Sequence, residues 1–122
     1  MVFGFGRTGL EEISAAEAIS LSSGSARLID VREPWEFDAG HAPQAVNLPM
    51  SQLAGRMTEL DKDDTFLIVC HTGQRSHSVT GRLDHAGYSA INVIGGMVEW
   101  VVAGGAIVAT DDGGPADRVP HV

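Results

Sequence analysis

The chain of 122 residues carries 16 acidic and 8 basic side chains, for a formal net charge of −8, and 43% of its residues are apolar. This length fits one domain with a core of its own, and the acidic balance argues against nucleic acid as a partner. No apolar run approaches the roughly 20 residues of a membrane span, and residues 1–7 lack the sustained apolar segment of a secretory signal. A single cysteine fits a reducing compartment, so we expect a cytoplasmic protein that does not enter a membrane.

Hydrophobic periodicity, capping residues and glycine or proline stops divide the chain into alternating strands and helices. Ser14 and Glu17 match a capping box at the start of the first helix. The predicted segments are a helix over 14–22, a strand over 26–30, a short helix over 33–37, a strand over 45–48, a helix over 51–60, a strand over 66–69, a helix over 76–86, a strand over 91–94 and a helix over 96–102. This alternation indicates an α/β fold, an open parallel sheet with helices on both faces.

Two terminal segments differ in composition from the rest of the chain. Gly4 to Gly9 matches the glycine pattern of a dinucleotide-binding loop. Only Met, Val and Phe precede it, which leaves no buried strand for such a loop to follow, so we interpret residues 1–9 as a flexible arm. From Asp111 onward the chain is rich in Asp, Gly and Pro, and residues 109–122 are predicted to form a mobile tail. The folded domain is therefore expected over residues 10–108.

Cys70 directly follows the apolar run 66–69 and precedes a short loop that leads into a predicted helix. In open α/β sheets, ligands bind just beyond the carboxyl ends of the strands. Unpaired N–H groups and the dipole at a helix N-terminus stabilise a thiolate, and Arg75 adds a positive charge. We therefore predict that Cys70 is a nucleophile.

The surroundings of the cysteine differ in charge from the chain as a whole. Between Thr65 and Ser89 the only acidic residue is Asp84, whereas two arginines and three histidines lie in the same stretch. Such a strip attracts an anionic ligand locally even though the net charge is negative. Chance clustering in a short window explains the pattern equally well. The histidines have no ligand-like spacing with Cys70, so no metal site is expected.

Four segments of the chain, in this order, resemble the signatures of the rhodanese (sulfurtransferase) homology domain family. The segments are residues 28–33 with Glu36 and Phe37, residues 40–49, residues 70–76, and residues 95–97 with Trp100. The resemblance extends over about residues 12–108 and implies a rhodanese-like sheet of about five strands in a single-domain protein. Two positions depart from the family pattern. Gln44 stands where glycine is common, which questions a local turn, and Gly81 lies mid-helix where alanine is usual, which weakens that helix by about 1 kcal/mol.

The resemblance implies that Cys70 accepts a sulfane sulfur from a small anionic donor such as thiosulfate. The resulting persulfide then passes the sulfur to cyanide or to a thiol of a small molecule or a protein, and no cofactor is implied. Backbone N–H groups of the loop are expected to stabilise the anions involved. Arg75 is expected to combine two roles, holding the anionic end of the donor and fixing the loop by bonding backbone carbonyls, with the structural role the larger. The residues expected to bind substrate are His71, Thr72, Gly73, Gln74 and Arg75.

The number of residues between the cysteine and the arginine separates two chemistries. Phosphatases that resemble rhodaneses have five, whereas four residues separate Cys70 from Arg75. The shorter loop suits one sulfur atom better than a tetrahedral phosphate, so we expect sulfur transfer. His71 is open to interpretation as a general base. Persulfide exchange needs a thiolate more than a base, and a titratable position at the rim of the site is the favoured interpretation of His71.

Several other residues are interpreted as structural. Asp30 and Arg32 end a strand, and Arg32 is expected to pair with Glu36 one turn later. His41 is expected to hydrogen-bond within a turn. The residues expected to pack in or near the core are Trp35 and Trp100. The alternative function is a non-catalytic rhodanese-like module that senses redox state or binds a partner, because no acceptor-specific feature is visible in the sequence.

Overall fold

The computed structural model describes residues 10–110, so the predicted arm and the tail beyond Thr110 lie outside the described part of the chain. Five strands and five α-helices are named β1 to β5 and α1 to α5 in chain order. The strands are Glu11–Ile13 (β1), Arg27–Asp30 (β2), Val46–Asn47 (β3), Thr65–Val69 (β4) and Ser89–Val93 (β5). The helices are Ala15–Ser22 (α1), Pro34–Ala39 (α2), Leu53–Arg56 (α3), Gln74–His85 (α4) and Gly96–Val102 (α5). None of these helices has the length and apolar character needed to span a membrane.

The five strands form one parallel sheet in the order β1-β5-β4-β2-β3. Side chains of β4 alternate between two apolar clusters, because successive residues of a strand point to opposite faces. Phe66 and Ile68 pack in one cluster with residues of α3 and α4, whereas Leu67 and Val69 pack in the other with residues of α1 and α5. The expected α/β fold, with helices on both faces of a parallel sheet, is confirmed. Cys70 follows β4 at the carboxyl edge of this sheet.

The structure differs from the predicted elements in two places. In the segment predicted as one helix, 3-10 turns at Met50–Gln52 and Met57–Glu59 flank a four-residue α3. Gly55 disfavours helix, and Leu53 is the only buried residue of these three short elements, which is a weak anchor for a longer helix. Strand β1 was not predicted, because three residues, two of them glutamates, carry no recognisable strand pattern.

The two tryptophans differ in burial. Trp100 of α5 is buried and its Nε1–H donates to the carbonyl of Ala106 at 3.0 Å, which confirms its predicted packing role. Trp35 is 64% exposed, so the prediction that it packs in or near the core is wrong. The physical reason is that α2 has only six residues and buries none of them.

Both departures from the family pattern are accommodated without a break in the fold. The turn at Gln44 forms, since the N–H of Ala45 donates to the carbonyl of Ala42 at 3.0 Å, and the Gln44 amide donates to Ser22 Oγ at 2.9 Å. Helix α4 continues through Gly81 from Gln74 to His85. These local differences therefore leave the site edge of the sheet intact.

Candidate active site

Cys70 lies at the end of β4 with its sulfur inside the turn of the following loop, residues 70–75, called here the Cys70 loop. The residue is a free cysteine and only 1% exposed. Its Sγ accepts hydrogen bonds from the N–H groups of Gly73 at 3.1 Å and Ser76 at 3.2 Å. The Oγ of Ser76 lies 3.3 Å from the same sulfur. Backbone donors that converge on one atom stabilise negative charge that develops there.

Gly73 gives the Cys70 loop its curl and serves as the N-cap of α4. Its φ of +108° lies in the left-handed region, which glycine adopts without steric cost. A Cβ added at this position would also lie only 3.1 Å from the backbone nitrogen of Gly95. Both the conformation and the tight packing therefore require glycine at this position.

The start of α5 holds the first two carbonyls of the Cys70 loop. The N–H of Met97 donates to the carbonyl of Cys70 at 2.7 Å, and the N–H of Val98 donates to that of His71 at 3.1 Å. Gly96 has a φ of +59°, and a Cβ there would overlap both carbonyl oxygens. Because N–H and C=O point in opposite directions in a trans peptide, the N–H groups of the two peptides so held face away from α5. This contact gives the Gly-Gly-Met segment a physical role in orienting the loop.

Arg75 forms a two-pronged ion pair with Glu36 of α2, with N–O distances of 2.7 and 2.9 Å. Its side chain donates to this carboxylate, so the expected bonding of Arg75 to backbone carbonyls is wrong. Hydrogen bonding to Arg75 lowers the pKa of Glu36 to about 2, and the same pair raises the pKa of Arg75. The pair therefore links α2 to the Cys70 loop and places a negative charge against the guanidinium of Arg75.

Asp30 and Arg32 form a buried ion pair at the carboxyl end of β2. Arg32 donates to Asp30 through Nε at 2.9 Å and Nη2 at 2.7 Å, and its Nη2 also donates to the carbonyl of Gly40 at 2.8 Å. The expected pair between Arg32 and Glu36 is therefore wrong. The carboxylate of Asp30 is fully buried and needs a close cation, while that of Glu36 is occupied by Arg75.

The remaining predicted site residues lie around the mouth of the Cys70 loop. His71, Thr72 and Gln74 are exposed, and their side chains form no hydrogen bond with other residues in the described range 10–110. His71 borders an apolar pocket of about 310 Å³ together with residues of α5. His41 is part of a turn, as predicted, with Nδ1 2.7 Å from the carbonyl oxygen of Phe37.

Ser76 is the site residue that the sequence-based interpretation missed. It is fully buried, and both its N–H and its hydroxyl contact Sγ of Cys70. The sequence does hold a signal for it: Ser76 is the first residue of the predicted helix, where backbone N–H groups have no partner within the helix.

Among the described residues, no group of three or more His, Cys, Asp or Glu side chains is arranged to hold a metal ion.

Comparison with known proteins identifies the family to which this chain belongs. The pattern of the Rhodanese-like domain family matches residues 14–103. The chain belongs to this family. The thiosulfate sulfurtransferase GlpE of Pseudomonas syringae pv. syringae is 33% identical over 94 residues, which cover 76% of this chain and 89% of GlpE.

A further relative by sequence and a neighbour by structure are consistent with this family. YtwF of Bacillus subtilis, provisionally named a sulfurtransferase, is 44% identical over 73 residues, which cover 60% of this chain and 71% of YtwF. A crystal structure of a rhodanese-related protein from Thermoplasma volcanium superposes with a TM-score of 0.76 at 28% identity, covering 80% of this chain and 97% of that one. These relatives support a rhodanese-type sulfurtransferase that works between a sulfur donor and an acceptor.

Proposed function

We propose that this protein transfers a sulfane sulfur through a persulfide on Cys70, from an anionic donor such as thiosulfate to a thiol or cyanide. The observation that carries the proposal is the sulfur of Cys70 held at 3.1 and 3.2 Å from two backbone N–H groups. The sulfurtransferase relatives support the same reaction class. The cycle begins and ends with a free Cys70 thiol, so we also propose a reducing, cytoplasmic location.

The first half-reaction loads the sulfur. The thiolate of Cys70 attacks the outer sulfur of thiosulfate, a new S–S bond forms, and the old S–S bond breaks with its electron pair on the departing sulfite. The negative charge moves from Cys70 to the outer sulfur of the persulfide and to sulfite. The N–H groups of Thr72, Gln74 and Arg75 donate to no other described residue, so they are available to these anions.

The second half-reaction unloads the sulfur. An acceptor thiolate or cyanide attacks the outer sulfur of the persulfide, and the S–S bond breaks with its electron pair on Cys70, which regains the thiolate. No external oxidant or reductant enters either step. The N–H groups of Gly73 and Ser76 stabilise the returning charge on Sγ.

The ion pair of Arg75 favours sulfur over phosphate as the group transferred. A phosphate bound at the Cys70 loop would have to compete with the carboxylate of Glu36, which already takes both prongs of the guanidinium. A persulfide needs no such side-chain cation, because backbone N–H groups suffice for one sulfur atom.

Steady-state kinetics test the proposal. Varying thiosulfate at several fixed acceptor concentrations is expected to give parallel reciprocal plots, the signature of a two-step exchange through a covalent intermediate. The C70S variant should have no activity. Intersecting plots, or activity that survives in C70S, would contradict the proposal.

A non-catalytic partner-binding module is the second candidate. The observation that favours it is the apolar surface beside His71, where Val98, Val101 and Ile107 are exposed around the pocket of about 310 Å³. In this case a cellular phenotype of the deletion strain would be rescued by C70S as well as by the wild type. Rescue by the wild type alone would rule this function out.

A further inference from the structure

A second pocket borders the Cys70 loop on the side of β1 and β5 and has a volume of about 460 Å³. We call it the Glu12 pocket. Gly73, whose N–H contacts the reactive sulfur at 3.1 Å, also lines this pocket, so one residue borders both the pocket and the sulfur. The polar side chains that line it are Glu12, Thr72, Gln74, His77 and Asn92.

The strand side of the Glu12 pocket contains an unpaired buried acceptor. Asn92 is 2% exposed, and its Nδ2 donates to Glu12 Oε2 at 2.9 Å. Its Oδ1 is the only buried side-chain nitrogen or oxygen without a hydrogen-bond partner in the described part of the chain. Reversing the amide would set this oxygen against the carboxylate of Glu12, so the contact with Glu12 fixes the orientation. The strand side therefore presents the charged carboxylate of Glu12 beside a buried amide oxygen that has no hydrogen-bond partner among the described residues.

The helix side of the Glu12 pocket has the opposite character. It lies at the N-terminus of α4, a helix of 12 residues whose dipole favours negative charge at this end. The side chains of Thr72, Gln74 and His77 are exposed and donate to no other residue within 10–110. A ligand that matches both sides carries a positive donor at one end and a negative acceptor at the other.

We propose that the Glu12 pocket binds the amino-acid end of a small thiol that accepts the sulfur. The ammonium group of such a zwitterion lies against Glu12 and Asn92, and its carboxylate lies at the N-terminus of α4. Its thiol is then next to Gly73 and within reach of a persulfide on Cys70. This inference rests on the proposed sulfur transfer and specifies the chemical class of the acceptor.

Four related thiols separate the contributions of the two charged groups. Cysteine has both, cysteamine lacks the carboxylate, 3-mercaptopropionate lacks the ammonium and 2-mercaptoethanol lacks both. The KM for cysteine is expected to be the lowest of the four and to rise about tenfold in E12Q, which corresponds to the loss of one charge-assisted interaction. The effect should fall on KM and not on kcat. The matched control is E11Q, since Glu11 is the adjacent residue of β1 but does not line the pocket.

Direct binding tests the pocket separately from the reaction. In 15N-labelled C70S, cysteine is expected to shift the side-chain amide resonances of Asn92, and the shift should be lost in the C70S/E12Q double variant. Equal KM values for cysteine and 2-mercaptoethanol, or an Asn92 signal that cysteine does not shift, would overturn the inference, because the pocket would then bind no amino-acid group. A shifted Asn92 signal in a protein that forms no persulfide would support the pocket while refuting the proposed function.

Discussion

The ion pair between Glu36 and Arg75 is expected to stabilise the protein in a way that depends on pH. Hydrogen bonding to Arg75 lowers the pKa of Glu36 from 4.5 to about 2 in the folded protein. Because the folded-state pKa lies below the unfolded one, the stabilisation is fully present above about pH 4.5 and is lost as the pH falls toward 2. The perturbation that isolates this effect is E36Q, which keeps an oxygen acceptor for the N–H of Glu33 but carries no charge.

The size of the effect follows from the shift and from the exposure of the pair. A shift of this size corresponds to at most about 3 kcal/mol. The side chain of Arg75 is 36% exposed, and solvent screening reduces the contribution to about 1–2 kcal/mol. The free energy of unfolding of E36Q should therefore lie about 1–2 kcal/mol below that of the wild type near pH 7, and this difference should shrink to about half near pH 3.

Urea denaturation of wild type and E36Q at a series of pH values measures this difference directly. The control variant is E59Q, because Glu59 pairs with Arg56 on the open surface, and its loss should have a smaller effect at every pH. A difference between wild type and E36Q that is absent near pH 7, or that stays constant down to pH 3, would refute the reasoning.

Two further predictions concern the packing around the sulfur. S76A removes the hydroxyl that lies 3.3 Å from Sγ of Cys70. It should slow persulfide formation from thiosulfate about tenfold in single-turnover measurements. A rate within about twofold of wild type would show that the Ser76 hydroxyl does not stabilise the charge on the sulfur. G96A introduces a Cβ that overlaps the Cys70 carbonyl, so both transfer activity and the free energy of unfolding should fall, the latter by about 1–3 kcal/mol in urea denaturation. The control for G96A is G81A, in which the added Cβ would meet only Leu10 Cδ1 at 3.8 Å. This variant should raise the unfolding free energy by about 0.5–1 kcal/mol. A stable, fully active G96A would show that the α5 contact does not orient the loop.

Local patterns in the sequence were sufficient to predict the strand before Cys70 and the start of the first helix. The apolar run 66–69 and the glycine-containing turn after it correctly indicated a buried strand that ends just before Cys70. The capping box at Ser14 forms as predicted, because its two hydrogen bonds depend on residues only three positions apart. Features with such short sequence separation follow from local chemistry.

Contacts between distant parts of the chain could not be predicted in the same way. Arg75 and Glu36 are 39 positions apart, whereas the local spacing favoured Arg32, four positions before Glu36, as the partner of that carboxylate. The role of Gly96 depends on the close approach of α5 to the Cys70 carbonyl, and that approach follows only from the strand order. The unpaired oxygen of Asn92 likewise becomes visible only when β1 lies beside β5.

Intact-protein mass spectrometry after incubation with thiosulfate tests the central claim most directly. The wild type is expected to gain the mass of one sulfur atom, to lose it on addition of a thiol or cyanide, and to show no gain as the C70S variant. A wild-type protein that gains no sulfur from thiosulfate, mercaptopyruvate or a persulfide donor would contradict the claim that Cys70 carries the sulfur.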